Sequence, residues 1–201
     1  MGCDIHFKLE RRLKNSTETS KKNKWNATDC SIEAEYGKRD YWMFAHMANV
    51  RSDEYNKNYL EPKGLPEDIS DNTKISCSLL CPKNKALEPE FILRKPMYKE
   101  INRDQYEEWR KLYKFQVLKF TDCYKPLNKF YDVICDIDTH SHSWLTTEEY
   151  EECFNKVYKR EESNETIYLK GYLDWYILLQ RMKAYEEFGK YDVRIIFWFD
   201  N

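Results

Sequence analysis

The chain has only four histidines, His6, His46, His140 and His142, and three of them stand close to acids or to one another. Asp4 and His6 are two residues apart in a stretch that alternates apolar and polar, so on a strand both side chains leave one face and can converge on one ion or substrate. Glu10 lies further along the same face. The densest polar run is Asp136-Ile137-Asp138-Thr139-His140-Ser141-His142-Ser143. Continued as a strand, it points Asp136, Asp138, His140 and His142 one way, two carboxylates and two imidazoles in line. Those ligand types suit zinc, manganese or iron. The expected metal set is therefore Asp4, His6, Asp138, His140 and His142, with zinc or manganese as the divalent ion. Each group also has a plainer use. Asp4 and His6 would equally hydrogen-bond on a solvated sheet face, and the Ser and His of the second run would cap the helix that follows.

Other chemistry is sparse. There is no Gly-rich phosphate loop, no Gly-x-Ser-x-Gly elbow and no His-Glu-x-x-His. Cys3, Cys30, Cys77, Cys81, Cys123, Cys135 and Cys153 form no Cys-x-x-Cys pair and are odd in number, so neither a disulfide framework nor a zinc-thiolate site is signalled. Buried, idle thiols are the expectation. Arg39, Arg51, Lys63 and Arg194 are candidate anion binders. With 33 basic against 35 acidic residues, the net charge of -2 supplies no broad positive field for a phosphate backbone, and general nucleic-acid binding is disfavoured. No apolar run approaches the roughly 20 residues of a membrane helix. A reducing, cytoplasmic location is expected, without a membrane association. Gly2-Cys3 hints at acylation, but His6 stands where the myristoylation pattern wants Ser or Thr.

These groups need elements to position them. Cys3 to Leu13 alternates, with Cys3, Ile5, Phe7 and Leu9 on one side and Asp4, His6, Lys8 and Glu10 on the other, a half-buried strand. Asp192 to Phe199 repeats the pattern, with Val193, Ile195, Phe197 and Phe199 opposed to Arg194, Trp198 and Asp200. The two strands are predicted to be neighbours. Helices are predicted within 39–50 with Asp40 at the start, over 104–120, over 147–159 behind a Thr146/Glu149 capping box, and over 167–188 ending at Gly189. Polar residues 15–29 and the stretch of about 70–97 read as loops, the latter as an insert. The 16 Tyr, 10 Phe and 6 Trp supply enough large apolar area for a sizeable core. Strands and helices mix without βαβ regularity, so the expectation is one α+β domain over 1–201, an antiparallel or mixed sheet holding both terminal strands, packed with three to four helices.

Two resemblances add to this. The run from Asp138 to His142 resembles the Asp-x-His-x-His motif of PHP-type metal-dependent phosphoesterases over about six residues. Those enzymes draw further ligands from many later strands, and the 59 residues after His142 hold no histidine, so a full PHP barrel is excluded. More broadly, the start Met-Gly-Cys-Asp-Ile-His, Arg39-Asp40-Tyr41 with Phe44-Ala45, Val50-Arg51, Gly64-Leu65-Pro66, His142-Ser143-Trp144-Leu145-Thr146 and the ending Phe197-Trp198-Phe199-Asp200 resemble an uncharacterised family of phages and bacteria. That resemblance implies no activity, but it implies that the anchors gather. Asp4, His6, Arg39, Asp40, His142, Ser143, Trp144 and Asp200 are then the candidate ligand-binding residues of one polar pocket. Two functions are expected of it: binding of a small anionic or nucleotide-like ligand or a host partner, in a host cytoplasm if the protein is viral, or metal-assisted phosphoester hydrolysis.

Overall fold

The two strands that alternate most cleanly pair with each other. In the computed structural model, which describes residues 3–14, 24–28, 39–52, 60–83, 99–121, 124–158 and 169–200, the first strand β1 (Asp4–Leu13) lies antiparallel to the last, residues Tyr191–Asp200, with Ile5 opposite Phe199 and Leu9 opposite Ile195. Between them run β2 (Asn26–Ala27), α1 (Tyr41–Ala48), α2 (Asp71–Ser76), β3 (Ser78–Pro82), β4 (Lys99–Glu100), α3 (Arg103–Leu112) and β5 (Val117–Leu118). A 3-10 turn, Lys125–Lys129, then leads to β6 (Tyr131–Cys135), β7 (Thr139–Thr146), α4 (Thr147–Tyr158) and α5 (Leu169–Glu187), and the last strand is β8. The fold is α+β with two four-stranded sheets, ordered β2-β1-β8-β7 and β4-β3-β6-β5.

Chain contacts divide the protein into two compact units. Unit 1 comprises Met1–Asp68 and His140–Asn201, and unit 2 comprises Ile69–Thr139. In unit 1, one face of the first sheet carries Cys3, Ile5, Phe7, Leu9, Ile195, Phe197 and Phe199, all buried against Met43, Phe44 and Met47 of α1 and apolar residues of α4 and α5. Each such large side chain contributes roughly 1.5–3 kcal/mol by leaving water. A slip of one residue would turn all of them to the other face, so the register is strongly specified.

The helix starts follow their caps. Asp40 accepts the Met43 N–H at 3.1 Å and begins α1, which Asn49 ends in the left-handed conformation at φ 54°. Thr146 and Glu149 form the expected capping box, at 3.0 and 3.3 Å. α3 is shorter than its periodicity predicts. Asn102 and Gln105 cap it, and it stops at Leu112 because Val117 and Leu118 pair with Ile134 and Val133 of β6 instead. The stretch expected to be a loop over about 70–97 forms α2 and β3 across 71–82. β3 is buried on both faces, so it lacks the alternation that would have marked it. The rest of that stretch, 84–98, lies outside the described residues, as does most of the loop expected over 15–29. Among the described residues no helix is long and apolar enough to cross a membrane.

Candidate functional site

The pairing of β1 with β8 brings Asp4 opposite Asp200 and His6 opposite Trp198. Two carboxylates facing each other across strands repel. Each has a basic partner: Arg39 Nε donates to Asp4 Oδ1 at 3.1 Å, and His6 Nε2 lies 2.8 Å from Asp200 Oδ2. The Asp4 carboxylate raises the Arg39 pKa through this hydrogen bond and its charge. His6 also stacks on Trp198, with ring centroids 6.0 Å apart. Four of the candidate ligand-binding residues thus meet at one end of the first sheet, on its open side.

Behind them, on the core face, lies a second layer. Cys3 Sγ is 4.0 Å from His140 Nε2, and His140 Nδ1 is 3.0 Å from Ser141 Oγ. The Cys3 backbone N–H donates to Tyr41 Oη at 3.4 Å, and the exposed Arg51 hydrogen-bonds the sulfur. Burial pushes the Cys3 thiol pKa up, and Arg51 opposes that rise. Cys3 itself is fully covered, but Arg51 is exposed and His140 and Tyr41 are half-buried, so the sulfur lies one side-chain layer below the surface.

The backbone around this cluster is unusual. Arg39 at φ 65°, Arg51 at φ 58° and Ser141 at φ 51° all take the left-handed conformation without being glycine, which costs of order 1 kcal/mol or more each. The Ser141 conformation has a visible result. His140 stacks on the core-face Phe199 at 6.0 Å, whereas Trp144, four residues on, lies toward the opposite-face Arg194 at 6.0 Å. A regular strand would have put His140 and Trp144 on the same face. The line of Asp136, Asp138, His140 and His142 expected from alternation is therefore interrupted twice, by the turn at Ile137 and Asp138 and by Ser141.

The remaining expected residues are placed elsewhere. Asp40 turns into the core, where its second oxygen accepts from Trp175 Nε1 at 2.9 Å and from the Tyr158 hydroxyl. His142, Ser143 and Trp144 hold the segment before Asp68: the Gly64 N–H donates to the His142 carbonyl at 2.9 Å, the Lys63 N–H to Ser143 Oγ at 3.1 Å, and Lys63 Nζ lies 4.2 Å over the Trp144 ring. Gly64, at φ 76°, suits that turn. Asp138 falls in unit 2, in the turn that follows β6. Among the described residues no three His, Cys, Asp or Glu side chains gather closely enough to hold a metal ion. Of the candidate anion binders, Lys63 is tied to Glu149 at 2.6 Å, and Arg194 is buried in a pair with Glu10 at 2.7 Å. Sequence reasoning passed over Cys3, Tyr41, Arg51 as a partner of Cys3, and Ser141. The one signal available was that Cys3 neighbours Asp4 at the start of a strand paired with the chain's other end. Comparison of the chain with family models, with curated proteins and with solved structures finds no match among any of them.

Proposed function

We propose that unit 1 binds a small anionic, nucleotide-like ligand at the Cys3 end of its sheet, with Arg39 and Arg51 as the anion-holding groups. The observation that carries this reading is the gathering of three left-handed, non-glycine residues, Arg39, Arg51 and Ser141, around one polar cluster. Backbone strain of this kind persists where the surrounding structure over-determines it, and it concentrates at ligand clamps and active sites. The Arg39 pair with Asp4 is exposed on both sides, so water screens it and a ligand can displace it at little cost. A guanidinium freed in this way offers a planar fork that matches a phosphate or carboxylate. Trp42, half-exposed in the first turn of α1, is a ring on which a base can stack. On the resemblance of its motifs, we read the protein as a member of a phage and bacterial family working in the cytoplasm, with a host protein as the other class of partner.

The hydrolase reading has its own support. Cys3 Sγ lies 4.0 Å from His140 Nε2, longer than a formed nucleophile–base hydrogen bond, and Ser141 Oγ lies 3.0 Å from the other ring nitrogen, so closure of this gap on substrate binding is what the reading requires. This reading differs from the metal-assisted hydrolysis expected from the sequence: His140 takes the Cys3 proton, the thiolate attacks the ester, the alcohol leaves with that proton, and water then hydrolyses the covalent intermediate. One experiment addresses both. The protein is equilibrated with a nucleotide panel, and the retained compounds are extracted and weighed. Intact ligand, lost in Arg39→Ala and Arg51→Ala, supports binding. Altered product that disappears in Cys3→Ser supports catalysis. Retention of nothing from the panel, or retention unchanged in both arginine variants, refutes the anion-binding assignment.

A further inference from the structure

At the opposite end of the same strand pair, roughly 26 Å along β1 from Asp4, unit 1 contains a cleft of about 600 Å³. We propose that this cleft binds a small organic cation, an amine or amidine on a planar apolar body. Its walls are indoles that already carry cations. Arg194 lies 3.9 Å and Arg12 4.7 Å over the Trp25 ring, and Lys63 lies over Trp144. Such stacking is the attraction of a positive charge for an aromatic face.

The charges that line the cleft do not favour an anion. Arg194, with a side chain only 5% exposed, donates to Glu10 Oε2 from Nε at 2.9 Å and from Nη2 at 2.7 Å, and to Asp68 Oδ1 from Nη1 at 2.7 Å. Arg12 Nε donates to Asp192 Oδ2 at 3.0 Å. A phosphate could reach the Arg194 guanidinium only by displacing Asp68, whereas Arg12 keeps its Nη donors beside the Asp192 carboxylate. Burial raises the Asp68 pKa, but the hydrogen bond and charge of Arg194 and the Trp25 N–H more than offset it, and the carboxyl is held below its ordinary value. The carboxylates of Asp68, Glu148, Glu186 and Asp192 outnumber the cations of Arg12, Lys14 and Arg194 along the wall. Among the described residues, Glu186 accepts only the Thr147 hydroxyl, at 2.7 Å, and the Glu148 side chain has no partner. The excess is negative and is located where α4 and α5 border the cleft. A cavity of this volume accommodates a drug-sized molecule. An incoming ammonium or amidinium would pair with Glu148 and Glu186 while its ring lies along Trp144.

The test uses benzamidine as the cation, benzoate as its isosteric anion, and inorganic phosphate. Binding is followed in nitrogen-15 correlation spectra of the whole chain through the indole N–H signals of Trp25 and Trp144. Benzamidine is expected to shift both signals saturably. Kd should rise about tenfold in Glu148→Gln/Glu186→Gln, a loss comparable to one charge-assisted contact. Arg39→Ala and Arg51→Ala should leave the titration unchanged, which separates this site from the one at Cys3. The proposal is overturned if benzamidine gives no saturable shift in the millimolar range, if benzoate or phosphate binds as well, or if the double glutamine variant binds like the parent.

Discussion

Replacing Arg194 by methionine tests how the polar face of the first sheet is held. The Glu10 side chain is fully buried and Arg194 nearly so, and two of the guanidinium's hydrogen bonds go to the one Glu10 oxygen. Methionine keeps much of the arginine's apolar stem but leaves that carboxylate buried without its cation. Asp68, at 56% exposed, can return to water, so Glu10 sets the cost. Breaking a buried ion pair from one side costs about 3–5 kcal/mol. With a urea slope of about 2 kcal/mol/M, the unfolding midpoint should fall by roughly 2 M. Tryptophan fluorescence is the assay, because Trp25, Trp42, Trp144, Trp175 and Trp198 lie in unit 1 and only Trp109 in unit 2. The double variant Glu10→Leu/Arg194→Met should recover more than half of the loss, since it leaves no uncompensated charge. A single-variant loss below about 1 kcal/mol, or a double variant as unstable as the sum of both singles, would refute the argument that desolvated charge dominates here.

Burial pushes the thiols of Cys135 and Cys153 from 9.0 up to about 12. A group held protonated by folding stabilises below its unfolded pKa and ceases to do so as pH rises through the folded one, so stability should be intact below about pH 9 and fall towards pH 12, by up to ~4 kcal/mol per thiol. Chemical unfolding across that range checks this, and iodoacetamide at neutral pH should leave both thiols unmodified in the folded protein. Asp40→Ala removes the α1 cap together with the acceptor of Trp175 and Tyr158, and should cost about 2–3 kcal/mol, more than the ~1 kcal/mol of a cap alone, as read by thermal or urea unfolding. Phe199→Ala empties a fully buried position that packs on Phe44 and Phe197, with an expected loss of about 3–5 kcal/mol in the same unfolding assay.

The parts of the fold that were legible beforehand are those in which one face is buried and one is not. Alternation marked β1 and β8 and even their partnership, because both strands had to bury one face in the same core. Helical spacing with a capping residue placed α1, α4 and α5. Most of the second sheet was not legible. β3 is apolar on both sides, and β4 and β5 are two residues each, too short to show any period. At the candidate site, the nearness of Asp4, His6 and Asp200 was legible from residue type and strand pairing, and that of Arg39 only from the resemblance of its motif. His140 was expected in a line of metal ligands and lies instead against Cys3, because the turn at Ile137 and Asp138 ends the alternation before it and the left-handed Ser141 breaks it again after it. Asp40 was read as a site residue for the same reason it was read as a cap, its place at a helix start, and its contacts are those of the cap and the core.

The partnership of β1 with β8 also dictates an order of assembly. Asp4 pairs with Asp200 and Leu13 with Tyr191, so the first strand emerges from the ribosome with its principal hydrogen-bonding partner still unsynthesised. Until then Ile5, Phe7 and Leu9 belong to an unpaired edge, the kind of surface that pairs with other chains or is held by a chaperone. Unit 2 is encoded wholly between the two halves of unit 1 and can close on its local contacts first, at lower loop entropy. Folding of unit 1 then waits for contacts between the two ends of the described chain, the kind of topology that slows a rate constant without weakening the final state.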